Sequence, residues 1–193
     1  MLSDLFISKV RIKILQLFLS NPEQIYHVRE IVRRVGEEIN AVRRELAHME
    51  KGGLAYSEWR ANRKFFGFKK DYVFYNDLLS MINKTVGLGG DIIKNKNKLG
   101  RIRYAMMAGH FARGKPTASN DVDLLVVGSV ILPQLAAIVK DEEARKNREI
   151  NYTVMSDEEF GFRKRRKDPF ITSILARSHV MLLGDEEEML RGL

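Results

Sequence analysis

The chain has 193 residues, of which 45% are hydrophobic and 30% charged, a balance typical of folded globular proteins and not of disordered chains. We find no run of about 18 apolar residues and no signal-peptide order at the N-terminus, so we expect no membrane partner. The absence of cysteine excludes disulfides and thiolate metal sites and favours a cytoplasmic location. The net charge of +8 favours a polyanionic partner.

Three amphipathic helices are predicted in the first 52 residues. Apolar side chains recur at helical spacing over residues 10–18, 28–35 and 39–49. Asn21-Pro22, Gly36 and Gly52 follow these stretches and end them. Because only a few residues separate the second helix from the third, the two helices must cross, and this is the helix-turn-helix arrangement.

The third predicted helix has an outward face suited to DNA. Its side chains lie along one stripe at helical spacing and can contact base edges and phosphates. The stripe consists of Asn40, Arg43, Arg44 and Ala47. Glu37 and Glu38 stand at the start of the same helix, where carboxylates stabilise the helix N-terminus but repel phosphate.

A β-hairpin with a basic tip is predicted to follow this helix. Residues 54–58 follow a strand pattern with Leu54, Tyr56 and Glu58 on one side, and the apolar stretch of residues 65–68 supplies the second strand. The tip between them carries Arg60, Arg63 and Lys64, which suit contacts to a nucleic-acid backbone. We expect the aromatic side chains of Tyr26 and Trp59 to serve in packing and not in stacking on bases.

Residues 10–70 resemble the winged helix-turn-helix of small bacterial and archaeal repressors, most clearly over residues 39–66. The resemblance implies that the third helix and the hairpin bind double-stranded DNA, and that the protein regulates transcription. The alternative is an ordinary three-helix bundle whose arginines form a solvated face.

A helical connector is predicted over residues 76–99. Asn76-Asp77 can begin a helix that includes Leu78 and Ile82, and the glycines of residues 87–90 are expected to break it. Such an apolar helix between two domains can pair two chains into a homodimer, or it can pack against its own domain. Both possibilities are open from the sequence.

The remaining residues, 100–193, suggest a second domain with two neighbouring carboxylates. A strand over residues 102–108 ends at Gly109. Asp121 and Asp123 precede an apolar stretch, and on one strand two residues two apart project from the same face. A Mg²⁺ ion bridging both carboxylates to nucleotide phosphates would relieve their repulsion. The alternative is a pair of ordinary solvated acids at a strand end.

This second domain resembles the minimal nucleotidyltransferases of the DNA polymerase β superfamily over residues 100–155. The residues that match the family pattern are Gly109, Arg113, Gly114, Asp121 and Asp123. The resemblance implies that the two aspartates bind Mg²⁺ and catalyse transfer, and that Gly109 to Gly114 hold the phosphates of an NTP.

Two departures from that pattern put catalysis in question. His110 replaces the serine that contacts the triphosphate, and Asn151 stands where a third carboxylate is expected. An amide cannot act as a general base near neutral pH. Glu149, two residues earlier, is the side chain that could substitute in an active enzyme.

The sequence therefore predicts an α+β protein in which a winged helix-turn-helix (residues 1–75) and a helical connector (76–99) precede a nucleotidyltransferase-like mixed sheet (100–193). The leading hypothesis is a DNA-binding transcription regulator whose second domain binds a nucleotide, a metal ion or a partner. One alternative is an active Mg²⁺-dependent nucleotidyltransferase acting on a protein or a small molecule. Another is an antitoxin-like protein whose partner is a second protein.

Overall fold

The computed structural model describes residue 2 and residues 7–115 and 121–192. The chain divides into two compact units, Met1–Ile82 and Asn83–Leu193. Each unit contains helices and one β-sheet, so the predicted α+β class is confirmed. No helix of the described residues has the length and apolar character needed to cross a bilayer.

The three predicted helices of the first unit are confirmed. They are α1 (Lys9–Ser20), α2 (Val28–Val35) and α3 (Ile39–Lys51). Gly36 ends α2 in the left-handed conformation, with φ of 65°, as glycine allows at low cost. Only three residues, 36–38, separate α2 from α3, so the predicted short turn between crossing helices is present.

A three-stranded antiparallel sheet completes the first unit. The predicted hairpin consists of β2 (Ala55–Arg60) and β3 (Arg63–Phe68). The sheet order is β1-β3-β2, where β1 (Tyr26–His27) was not predicted. A two-residue strand is too short for an alternating pattern to indicate it.

The hairpin turn holds Ala61 in a strained conformation, with φ of 49°. A side chain with a Cβ disfavours this left-handed region, whereas glycine adopts it readily. We therefore expect Ala61→Gly to raise the free energy of unfolding by about 0.5–1 kcal/mol. Urea unfolding followed by circular dichroism measures this difference, and an unchanged or lower value would contradict it.

The core of the first unit includes a buried acid. Glu45 lies on the core side of α3 and is only 7% exposed. Its carboxylate accepts a hydrogen bond of 2.8 Å from the Ser8 hydroxyl and is ion-paired with Arg11. These two contacts tie the beginning of α1 to the middle of α3.

The predicted connector contains two helices, α4 (Tyr75–Asn83) and α5 (Gly87–Lys94). The prediction that the glycines end helical structure is wrong, because they form the first turn of α5. Gly89 is needed there since a Cβ would lie 2.2 Å from the Asn83 carbonyl oxygen. Leu88 and Ile92 of α5 are in the core of the second unit, so α5 packs against its own domain, which is one of the two open possibilities. Pairing of two chains into a homodimer stays a prediction.

The second unit is built on a four-stranded mixed sheet of order β6-β5-β4-β7. In chain order the strands are β4 (Gly100–Ala108), β5 (Leu124–Val130), β6 (Tyr152–Met155) and β7 (His179–Leu183). Strand β4 is antiparallel to both β5 and β7, and β5 is parallel to β6.

Helices cover both faces of this sheet. In the described residues they are α5 and, further along the chain, α6 (Gly109–Ala112), α7 (Leu132–Lys146), α8 (Asp157–Arg165), α9 (Pro169–Leu175) and α10 (Glu186–Leu190). Alternate residues of β4 pack on opposite faces, with Ala105 and Met107 in one apolar cluster and Tyr104 and Met106 in the other. The first cluster also contains residues of α5 and α7, and the second contains residues of α8, α9 and α10.

Candidate functional site

A groove of about 790 Å³ lies between α3 and the β2–β3 hairpin. We call it the hairpin groove. It is lined by His27, Val28, Arg29, Arg43, Leu46, Ala47, Glu50, Trp59, Asn62, Arg63, Lys64 and Phe66. Cationic side chains therefore come from the α2 start, from α3 and from the hairpin tip, and buried apolar side chains lie between them.

Four of the seven predicted DNA-binding residues line this groove, namely Arg43, Ala47, Arg63 and Lys64. The other three lie outside it. Asn40 and Arg44 are exposed on α3. Arg60 is ion-paired with Glu58, and its guanidinium lies 5.5 Å from the centre of the Phe65 ring. The structure thus brings α3 and the hairpin together. Some of their predicted DNA-binding cations line the groove, and the others lie outside it.

Glu50 connects the hairpin to α3 inside the groove. Its carboxylate accepts a hydrogen bond from the Ser57 hydroxyl and one of 3.0 Å from the Lys64 ammonium. The Ser57 hydrogen bond, followed by the Lys64 contact, lowers the pKa of Glu50 below its ordinary value. A carboxylate that stays ionised here neutralises Lys64 and links β2 and β3 of the hairpin to α3.

The prediction of a packing role is confirmed for Tyr26 and wrong for Trp59. Tyr26 is 4% exposed and stacks on Phe18, and burial raises the pKa of its phenol. Trp59 is 70% exposed. It lies next to the last residue of β2, near the hairpin turn, and most of its ring faces solvent.

The two acids before α3 are bound within the protein. Glu38 is the N-cap of α3, and its carboxylate accepts hydrogen bonds of 2.8 and 3.0 Å from the backbone N–H groups of Asn40 and Ala41. The Asn40 and Ala41 hydrogen bonds lower the pKa of Glu38. Glu37 is ion-paired with Lys13 of α1. The predicted role of these acids at the helix N-terminus is therefore confirmed for Glu38.

In the second unit, Asp123 is a fully buried carboxylate, with 0% exposure. One oxygen lies 3.0 Å from His110 Nε2 and 3.4 Å from Arg148 Nη2. The other accepts a hydrogen bond of 3.0 Å from the backbone N–H of Asn151. We call these four residues the Asp123 cluster. The Arg148 guanidinium, the His110 ring and a backbone N–H satisfy this carboxylate, as a buried charge requires.

Asp121 has a different surrounding. Strand β5 begins at Leu124, so the expectation that both aspartates lie on one strand and share its face is wrong. The Asp121 carboxylate is ion-paired with Arg177 and is 27% exposed. With Ser173 and Phe170 it lines a cavity of about 60 Å³. The two carboxylates thus have separate cationic partners.

The residues predicted to bind a nucleotide make contacts within the protein. The Gly109 N–H donates a hydrogen bond of 2.6 Å to the Ser178 carbonyl oxygen, and Arg113 donates one of 3.2 Å to the Ser178 hydroxyl. A Cβ at Gly109 would lie 2.7 Å from that carbonyl oxygen, so close packing already requires a glycine there. Gly114 has φ of 67° and ends the turn after α6.

The arrangement of these side chains does not suit a Mg²⁺ ion. Asp121 and Asp123 are paired with Arg177 and Arg148, which a divalent ion would have to displace. Glu149 is exposed and precedes β6. In the described part of the chain, no three His, Asp or Glu side chains are grouped so as to hold a metal. Binding of Mg²⁺ or an NTP stays a prediction. Ser119 and Asn120, which directly precede Asp121, lie outside the described residues.

Sequence reasoning missed four residues of these two sites: Glu50, Trp59, Arg148 and Arg177. Arg148 and Arg177 lie 25 and 56 residues from the aspartates that they contact, and no local pattern indicates such a pairing. The strand alternation did contain a signal for Trp59. It lies two residues after Ser57 on β2, and both therefore project from the face that contacts α3.

Comparisons with known proteins do not identify a family for this chain. No protein-family model matches this chain, and no curated protein matches it. Among solved structures, reduced HlyU from Vibrio cholerae N16961 is 20% identical, with a TM-score of 0.34, over 44% of this chain and 80% of that one. A likeness of this size supports no conclusion about fold or function.

Proposed function

We propose that the protein is a DNA-binding transcription regulator whose first unit is a winged helix-turn-helix. The observation that supports this most is the hairpin groove, where cations of α3 and of the hairpin tip converge on one surface. Within the described residues, Arg29, Arg43 and Arg63 form no side-chain ion pair. Their charges are therefore available for phosphates, which supply most of the affinity of proteins for DNA.

We further propose that the second unit is a nucleotidyltransferase-like domain without a working active site. His110 and Asn151, which depart from the family pattern, both contact Asp123 in the cluster. The cations Arg148 and Arg177 are bound to the carboxylates that would otherwise bind metal. The role of this unit is then to bind a nucleotide or a protein partner and so modulate the first unit.

The DNA-binding proposal is tested by anisotropy of a labelled duplex at several salt concentrations. We expect wild-type affinity to fall linearly with salt on logarithmic axes. Replacing both Arg43 and Arg63 with alanine should weaken binding about 10- to 100-fold and reduce the salt slope by about 2.

A charge-matched control is the double variant Lys96→Ala/Lys98→Ala, since both lysines are exposed and lie in the second unit. Its affinity should stay near that of the wild type. Equal losses in the two double variants would show that binding follows net charge alone and would contradict a specific role for the groove. No binding of the wild type to any duplex would reject the proposal.

A further inference from the structure

We propose that the hairpin groove holds one sugar–phosphate strand of a DNA duplex and that the Trp59 indole packs on a deoxyribose within it. The inference rests on the proposed DNA-binding function and adds how the duplex is held. It assigns the groove to the DNA backbone and leaves contacts to base edges to the exposed residues of α3 outside the groove.

The strand register places Trp59 inside the groove. Its cross-strand neighbour on β3 is Lys64, whose ammonium contacts Glu50 of α3. Ser57, two residues earlier on β2, also contacts Glu50. Side chains two apart on a strand share a face, so Trp59 lies on the α3 side of the hairpin, one step further toward solvent.

The charges and apolar surfaces of the groove match a sugar–phosphate strand. Arg43 on the α3 side and Arg63 at the hairpin tip supply cations for successive phosphates. Between them, Trp59 and the methyl group of Ala47 provide apolar surface. A deoxyribose has an apolar face between two charged phosphates, and an amphipathic indole can cover that face.

Two side chains of α3 lie outside the groove and are of types that can bind base edges. Arg44 and Asn40 are exposed on α3 and do not line the groove. Arginine and asparagine are the residues that bind guanine and adenine edges with two hydrogen bonds. The groove is therefore expected to add the same binding affinity for every DNA sequence. Arg44 is expected to add more affinity for some sequences than for others.

Trp59 is the single tryptophan of the chain, so intrinsic fluorescence reports on this position alone. We would titrate the full chain with unlabelled duplexes of two unrelated sequences and measure emission and acrylamide quenching. Anisotropy with labelled copies of the same duplexes measures the affinity independently. We expect Trp59 to become protected from acrylamide to the same extent with both duplexes.

Matched variants separate the contact from a structural role. Trp59→Ala should lower affinity about tenfold for both duplexes, because the apolar contact between indole and sugar is lost, whereas Trp59→Phe should retain most of the affinity. Arg44→Ala should lower affinity for the preferred sequence more than for the other. Thermal unfolding of Trp59→Ala should stay close to the wild type because the ring is mostly exposed.

Three outcomes would overturn the inference. If DNA binds but Trp59 stays accessible to acrylamide, the groove does not hold the strand. If Trp59→Ala weakens binding to one sequence only, the indole contacts a base and not the backbone. If anisotropy shows no binding of wild-type protein, the proposed DNA-binding function fails as well. Anisotropy therefore distinguishes a failure of DNA binding from a failure of the groove inference alone.

Discussion

Replacing Asp123 with alanine is expected to lower the free energy of unfolding of the second unit by about 3–5 kcal/mol. The change removes a fully buried carboxylate and leaves the Arg148 guanidinium and the His110 ring without the anion that they face. It also removes the acceptor of the Asn151 N–H. Urea unfolding followed by circular dichroism measures the loss.

The adjacent Asp121 provides the matched control. It carries the same charge, but it is partly exposed and its partner Arg177 is 55% exposed. Solvent screens such a pair, so Asp121→Ala should cost less than about 1 kcal/mol. If the two variants lose the same stability, Asp123 does not organise this part of the unit. Trp59 fluorescence reports separately on the first unit.

The helices of the first unit could be predicted from the sequence because local rules determine them. Apolar spacing fixed the buried side of each helix, and Gly36 marked the end of α2. The same rules failed at residues 87–90, where glycine permits a close approach to the Asn83 carbonyl. A glycine that breaks a helix and one that accommodates a neighbour look alike in sequence.

The surroundings of the aspartates could not be predicted. The motif placed Asp121 and Asp123 near the glycine turn at α6, and the structure does place Asp123 beside His110. Whether a carboxylate faces a metal ion or an arginine depends on which distant side chain folds against it. Arg177 follows α9 and Arg148 follows α7, and neither position is marked in the sequence.

The α3 residues near the hairpin groove could be predicted from the sequence, but which of them line the groove could not. Helical periodicity placed Arg43 and Arg44 on one outward face, and neighbouring positions on a helix project about 100° apart. Which of them faces the hairpin depends on how the hairpin packs. The Glu50 contacts with Ser57 and Lys64 are part of that packing, and they join residues 7 and 14 positions apart.

Glu50 is therefore the position where stability and DNA affinity are expected to change in opposite directions. In Glu50→Gln the amide can still accept a hydrogen bond from Ser57, but the charge that neutralises Lys64 is lost. The released ammonium becomes available for a phosphate. We expect affinity for duplex DNA to rise about five- to tenfold at low salt, with a salt slope steeper by about 1.

Glu30→Gln is the control for net charge, because Glu30 pairs with Arg34 on α2 and does not line the groove. It changes the total charge equally and should raise affinity less. A rise of the same size in both variants would show that Lys64 is not a specific phosphate contact.

Stability provides an independent test of the same ion pair. Glu50 and Lys64 are 35% and 34% exposed, so Glu50→Gln should lower the free energy of unfolding by less than about 1 kcal/mol. The pKa of Glu50 is lowered from its ordinary value of 4.5 in the folded protein. Its stabilising contribution is therefore complete above that value and is lost as the pH falls through the lowered pKa. Unfolding of wild type and variant should differ at pH 7 and converge in acid, whereas a constant difference would show that the carboxylate charge is not what holds the hairpin to α3.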